Sequence, residues 1–332
     1  MRWARAALVA LGLAVGVVVV ILLPSRTDRV SDIDLAEMGV YFIAILGLNI
    51  VTGYTGQISL GHGAFMAVGG YTTAILVTDH GARDLWTIPL AGFVAAVAGI
   101  LVGVPALRLT GLYVALVTFG LAVAVPQLLQ WDKLEGLTGG NEGIQLFGEE
   151  KLLGKGFADV EFLGQTLTFT RAVYYLTWGV AGVLLVVAWL VLRSRSGRAF
   201  RAVRDSEIAA ASSGINLAAW KVGAFALSAF FAGVAGSLYV IGGTFVNPGA
   251  FPVVLSLTVL VGAVVAGLGS LWATAVGAAL VTFLPDIVGK WSTATGAPDT
   301  FYGLVLVLII LLLPTGVAGG ARRLFRPLTT RG

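Results

Sequence analysis

Apolar residues run along this chain in long blocks separated by short polar turns. A bilayer core about 30 Å thick is crossed by a helix of roughly 20 apolar residues. On that measure the pattern predicts a span within residues 1–23, then spans centred on 38–52, 59–78, 87–107, 111–130, 172–192 and 222–241. Residues 253–288 form one apolar stretch too long for a single helix. Gly267-Leu268-Gly269-Ser270 interrupts it and predicts two shorter spans. A last span is expected at 300–314, closed by Pro314. The expected fold is all-α, a polytopic membrane protein of about ten transmembrane or re-entrant helices in one domain, 1–332. The first block would also suit a signal peptide, but Pro24-Ser25-Arg26 follows it instead of a small-x-small cleavage site, so a retained span is expected.

Charge tests the count. Basic residues concentrate in cytoplasmic loops. With the N-terminus inside and ten alternating spans, the inner segments are the N-terminus (Arg2, Arg5), the turn at Arg108, the loop 193–221 and the tail (Arg322, Arg323, Arg326, Arg331). They then hold 13 of the 21 basic residues and two of the 17 acidic ones. Nine spans would put the basic loop or the basic tail on the wrong face. Both termini are therefore expected in the cytoplasm. The same asymmetry accounts for a pI near 9.5 without any nucleic acid.

Composition narrows the chemistry. The chain is 58% hydrophobic and 11% charged, against roughly a quarter charged in an average soluble domain. Its 45 glycines suit close helix packing in lipid. It has no cysteine and only two histidines, His62 and His80, which excludes disulfides, thiolate sites and a histidine-rich metal cluster. No G-x-x-x-x-G-K-[ST] loop is present to cradle ATP, and no paired carboxylates or Ser/His/Asp set stands out, so an enzyme is a weak reading. Ionisable residues fall almost entirely in loops or at span ends. Proton-coupled transporters place them at mid-membrane, so that class is disfavoured.

Two polar stretches remain. Residues 49–63, NIVTGYTGQISLGHG, gather glycines and hydrogen-bonding side chains at a span boundary. Irregular backbone at membrane depth is tolerated only against protein or a water-filled cavity. Helix ends there would suit a zwitterion, and Asn49, Gln57, Ser59 and His62 are the candidate pathway residues. Tight packing with satisfied side chains is the plainer alternative. Gly267-Leu268-Gly269-Ser270-Leu271 echoes the Gly-x-x-Ser-Leu pattern of this stretch. The loop 131–171 is acidic and reads as a solvated lid, with Val160, Phe162 and Leu167, Phe169 flanking Gly164-Gln165 as a small hairpin.

The loop Arg193 to Lys221, RSRSGRAFRAVRDSEIAAASSGINLAAWK, holds six basic residues and two acidic ones. Phe200, Val203, Ile208 and Ala211 fall on one helical face, and Arg198, Arg201, Arg204 and Asp205 elsewhere. Such a helix suits the inner leaflet, where anionic lipid holds it by about 1 kcal/mol per basic residue. That leaves unexplained the small residues, the break at Gly214-Ile215-Asn216 and the apolar approach through Trp220. Two helices around a small-residue turn suit insertion into a partner's groove.

The chain resembles the permease family of branched-chain amino-acid ABC importers, the LivH/LivM type, and is nearer the LivM side. The likeness rests on GYTGQISLGHGAFMAVGGY (53–71), LTGGNEGI (137–144), GRAFRAVRDSEIAAASSGIN (197–216), FALSAFFAGVAGSLY (225–239), GLGSLWATAVGAAL (267–280) and LLPTGVAG (312–319), in that order. It implies a permease subunit in the plasma (inner) membrane, paired with a LivH-like subunit. Two cytoplasmic ATPase subunits would carry ATP and magnesium, with no cofactor in this chain, and an external binding protein would deliver substrate. The resemblance makes 197–216 an EAA-type coupling loop, with Glu207, Ala209, Ala210 and Gly214 at its motif positions and Arg201, Arg204 and Asp205 beside them. Two departures stand out: Ile208 splits Glu from Ala-Ala, and the closing Leu-Pro is absent. Relatives carrying urea or short amides, and an ATPase-independent channel, remain alternatives.

Overall fold

The computed structural model describes residues 29–80, 84–107, 109, 111–146, 168–289 and 316–325, with short pieces between 151 and 166 and between 303 and 311. The expected span at 1–23 and most of that at 300–314 lie outside the described residues. Eight of the ten expected spans lie within them, and all eight are helical.

The first helix, α1 (Arg29–Leu48), continues without a break as a π-helical segment, Asn49–Tyr54. It starts nine residues earlier than the apolar centre at 38–52 because Asp32, fully buried, is paired with Arg171 at 3.2 Å. An irregular stretch, 56–61, leads to α2 (His62–His80), so the helix expected from residue 59 begins three residues later. Then come α3 (Asp84–Ala106) and α4 (Leu112–Leu129). After a short α5 (Glu135–Thr138), α6 (Phe169–Arg193) recrosses, followed by α7 (Arg195–Asp205), α8 (Glu207–Ser212) and the long α9 (Leu217–Gly243). The predicted split of 253–288 is present as α10 (Val253–Ala266) and α11 (Thr274–Gly289), with Gly267 and Gly269 at φ +99° and +83° between them. Amphipathic α12 (Gly316–Phe325) ends the described chain.

Six of these helices are long and apolar enough to cross a membrane: Asp32–Tyr54, Leu85–Ala106, Leu112–Leu129, Phe169–Arg193, Leu217–Gly243 and Pro248–Ala266. Two lie at the centre, since α1 and α9 are each 78% buried while α4 and α6 are 28% buried. Helix α9 packs along α2 and α3 and reaches α1. The approach is close because glycines face backbone: a Cβ on Gly69 would stand 2.1 Å from the Gly233 carbonyl, and one on Gly236 1.9 Å from that of Met66. Thr73 Oγ1 donates to Ser237 Oγ at 2.7 Å across the same seam. With lipid on the outside, such backbone proximity and inter-helix hydrogen bonds replace the hydrophobic effect as the adhesive.

The loop 131–171 differs from the solvated lid in its first half. There β1 (Ile144–Gln145) pairs antiparallel with β6 (Phe245–Val246), and Leu146 is fully buried. Gly139, Gly140 and Gly143 take positive φ, which lets GLTGGNEGI fold back onto the end of α9. Two further antiparallel pairs follow, β2 (Lys151–Leu152) with β3 (Lys155–Gly156), and β4 (Glu161–Phe162) with β5 (Gln165–Thr166). The second is the small hairpin expected around 164–165. Phe169, expected in its outgoing strand, is instead the first residue of α6.

Gly236→Val forces the α2–α9 seam apart and lowers stability by about 1–3 kcal/mol, the usual cost of overpacking. Gly179→Ala, where nothing stands within 4 Å of the added carbon, shifts it by less than about 0.5 kcal/mol. Thermal unfolding in detergent distinguishes the two.

Candidate functional site

The polar stretch 49–63 and the glycine turn 267–271, similar in sequence, meet in space. Asn49, fully buried, accepts from the Gly269 N–H at 2.7 Å and donates through Nδ2 to the Ser270 carbonyl at 2.9 Å. A side chain on Gly53 would collide with that amide, 2.0 Å from Asn49 Oδ1. The π-helical end of α1 is thus clipped to the α10–α11 turn, and Asn49 uses both ends of its amide to do it. Thr55 and Thr52 close the end locally, on the Val51 and Gln57 carbonyls at 2.6 and 3.1 Å.

The basic loop reaches the same place. Arg204 Nη1 donates to the Gly53 carbonyl at 2.6 Å, and Gly56, at φ +75°, lies against its side chain. Arg201, also a candidate coupling residue, donates to the Leu192 carbonyl at 3.2 Å and so caps the end of α6. Gly197 packs where a Cβ would stand 2.0 Å from that carbonyl. Helix α7 is therefore anchored to two membrane helices at once.

The single helical face expected for Phe200, Val203, Ile208 and Ala211 is not formed. Ser206 takes an extended conformation and separates α7 from α8, its hydroxyl capping the Ala209 N–H. Phe200 and Val203 are buried, with Phe200 edge-on to Trp220. Ile208 is turned the other way and is 83% exposed. Ala209, Ala211, Asp205 and Gly214 are exposed with it, while Ala210 faces inward. Gly214, at φ +79°, closes α8, and Asn216 starts α9 by accepting from Ala219. Glu207 is paired with the buried Lys221 at 2.7 Å, which fastens the base of the elbow. Sequence reasoning placed both residues in the loop without seeing that they meet. The break between α8 and α9 lies between them, so no single helical face brings them together.

Beyond the clip, the chain climbs back beside α1. The Leu60 N–H donates to Thr118 Oγ1 at 2.9 Å on α4, and the Gly63 N–H to Ser256 Oγ at 2.8 Å on α10. Helix α2 therefore begins inside the protein, and these two hydroxyls satisfy backbone donors that lipid would leave bare. Gln57 is half-buried and donates to Thr55 at 3.2 Å. Ser59 and His62 are each 1% exposed. The Ser59 hydroxyl has no partner among the described residues, and the His62 ring has only a poorly aligned contact with the Ala44 backbone. Native proteins rarely leave buried polar atoms so. Three of the four candidate pathway residues thus line one polar seam, and Thr118 and Ser256, unremarkable in sequence, complete it. No group of acidic or histidine residues able to hold a metal occurs among the described residues.

The family model for the branched-chain amino acid transport system permease component matches residues 35–313, a stretch holding the clip, the elbow and the polar seam. This chain is a member of that family. It is 35% identical over 315 residues to the high-affinity branched-chain amino acid transport system permease protein LivM of Salmonella typhimurium, covering 90% of this chain and 72% of the relative. The Escherichia coli LivM is likewise 35% identical over 305 residues, covering 86% and 70%. The permease protein LivH of Escherichia coli is 25% identical over 293 residues, covering 84% and 91%. No solved structure matches the chain significantly. Within this permease family the chain thus stands nearer LivM than LivH, and it is a multi-pass membrane transport subunit.

Asn49→Ala strands the Gly269 N–H and Ser270 carbonyl, at about 1–3 kcal/mol for each buried group left unpaired. Arg204→Leu strands the Gly53 carbonyl similarly. Because both act on one helix end, a double-mutant cycle of unfolding free energies gives a coupling above about 0.5 kcal/mol. Strict additivity would separate the clip from the elbow.

Proposed function

We propose that this chain is a single-domain permease subunit of an ATP-driven importer for branched-chain amino acids in the plasma (inner) membrane, with both termini in the cytoplasm. It works with a second, LivH-like permease subunit, two cytoplasmic ATPase subunits and an external binding protein. ATP and magnesium are bound by the ATPases, and this chain itself holds no cofactor. The substrate reading is supported by the similarity to the branched-chain amino acid permeases LivM and LivH, and the ATP-driven reading by membership of their family.

One observation carries the mechanism: the elbow that presents Ile208 to a partner is bonded, through Arg204, to the broken end of α1. The ATPase groove receives α8, with Ile208 as its apolar anchor and Ala209, Ala211 and Gly214 allowing close approach. Arg201 and Arg204 hold α7 to α6 and α1, so displacement of α8 reaches both helices. Asp205, exposed beside Ser206, faces the same partner. Glu207 acts through Lys221, keeping α8 at a fixed angle to α9. Closure of the ATPase pair on ATP moves the elbow. The clip at Asn49 passes that motion to the α10–α11 turn, and the seam of Gln57, Ser59 and His62 changes the side to which it opens. Uncharged groups along the seam let a zwitterion pass without trapping it, and selection rests with the binding protein. The basic face of α7, with Arg195 and Arg198, lies against anionic lipid.

Ile208→Asp removes the anchor while leaving the fold intact. In proteoliposomes containing the whole importer, uptake and substrate-stimulated ATP hydrolysis fall roughly tenfold or more, a loss of at least ~1.4 kcal/mol in docking. Thermal stability of the isolated chain changes by less than about 0.5 kcal/mol, as for other exposed positions. Full uptake with normal coupling would refute the elbow's role.

A further inference from the structure

At the end of the molecule opposite the basic elbow, α1, α6 and α9 enclose a cavity of about 300 Å³. That is the lower bound of ordinary small-ligand pockets, about 300–1,000 Å³. Its walls are largely apolar, with Val40, Val173, Leu238 and Phe169 among them. Four polar side chains also line it: Glu37, Thr170, Thr177 and Tyr239. Glu37 is half-buried within α1 and accepts a hydrogen bond from Tyr41. The charged groups acting on it, Asp34 and Asp286, are both acidic, and it has no ion pair among the described residues. Thr177 is fully buried, and its hydroxyl has no partner among the described residues.

A carboxylate within a membrane helix is costly unless paired, and it marks a site where a counter-charge arrives. The rest of the lining sets the remainder of that ligand. It offers room for a short aliphatic group, and the hydroxyls of Thr177 and Tyr239 are able to orient a polar atom. The sequence concealed the site. Glu37 sits at the edge of an apolar block, among other acidic residues that read as a span end, and its partners come from helices more than 130 residues away.

We infer that this cavity binds a primary ammonium carried on a short branched aliphatic group, with Glu37 taking the ammonium, Thr177 and Tyr239 orienting it, and the apolar walls holding the tail. Resting on the importer reading above, it is the first station of the substrate in the permease, at the face opposite the ATPases. The amine of a lipid headgroup shares the ammonium but not the short tail, and the walls favour the free solute.

The test uses the purified full chain in nanodiscs of phosphatidylcholine only, with radiolabelled 3-methylbutylamine as the probe in equilibrium dialysis. Saturable binding is expected, displaced by L-leucine and not by 4-methylpentanoate, which lacks the amine. Glu37→Gln weakens it tenfold or more, and Thr177→Val several-fold, with thermal unfolding of both variants showing that the fold persists. Equal displacement by 4-methylpentanoate, or unchanged binding in folded Glu37→Gln, overturns the site. So does displacement of the probe by phosphatidylethanolamine but not by L-leucine, which would make it a lipid site. Uptake by the complete importer is measured in parallel. Binding absent while wild-type uptake is intact overturns this site alone. Binding intact while the complete importer moves no branched-chain amino acid overturns the importer reading alone.

Discussion

A helix that ends inside a membrane protein leaves carbonyls with nothing to accept, and lipid supplies no water to satisfy them. At the end of α1 that demand is met by an arginine from another element. The 2.6 Å bond from Arg204 to the Gly53 carbonyl is charge-assisted, and such bonds are about twice as strong as neutral ones. Without it the Gly53 carbonyl loses its partner, and α7 keeps only its other arginine bond, from Arg201 to the end of α6. The clip at Asn49 is the same solution on the other side of the turn, with a side-chain amide serving as a second strand of backbone.

These bonds matter because of what surrounds them. Helices α1 and α9 are buried by their neighbours, and glycine-to-carbonyl contacts leave the α2–α9 seam no slack. Packing this tight transmits displacement instead of absorbing it. The elbow is built the opposite way. Helix α8 is a short, largely exposed piece, fastened at its base by Glu207 and Lys221, at its ends by caps, and by the inward-facing Ala210. A stiff body and a protruding, small-faced tip are the two parts a driven transporter needs, and Arg204 joins them.

Much of this was legible from residue order. Block length placed every described span, and the glycine run at 267–270 correctly divided the long apolar stretch. The family could be seen in six short motifs. Other features could not be read, for identifiable reasons. Helical periodicity put Ile208 with Phe200 and Val203 because a wheel assumes an unbroken helix, and one extended residue, Ser206, reverses the facing. The Asn49 clip joins residues 220 apart. Asp32 drew α1 back into a polar segment by pairing with Arg171, a tertiary contact that hydropathy does not register. The loop after α4 read as solvated because glycine and charge dominate it, yet its positive-φ glycines fold it onto the end of α9.

The central claim is that the elbow and the broken end of α1 move as one piece. The chain has no cysteine, so spin labels can be placed on it singly and in pairs without background from the chain itself. Pulsed electron spin resonance on the complete importer would compare Ala211→Cys with Ile58→Cys, and each with Gly120→Cys on α4, before and after ATP binding. The account predicts that the 211–58 distance stays constant while both distances to 120 change together. A 211–58 distance that shifts on ATP binding while 58–120 stays fixed would contradict it.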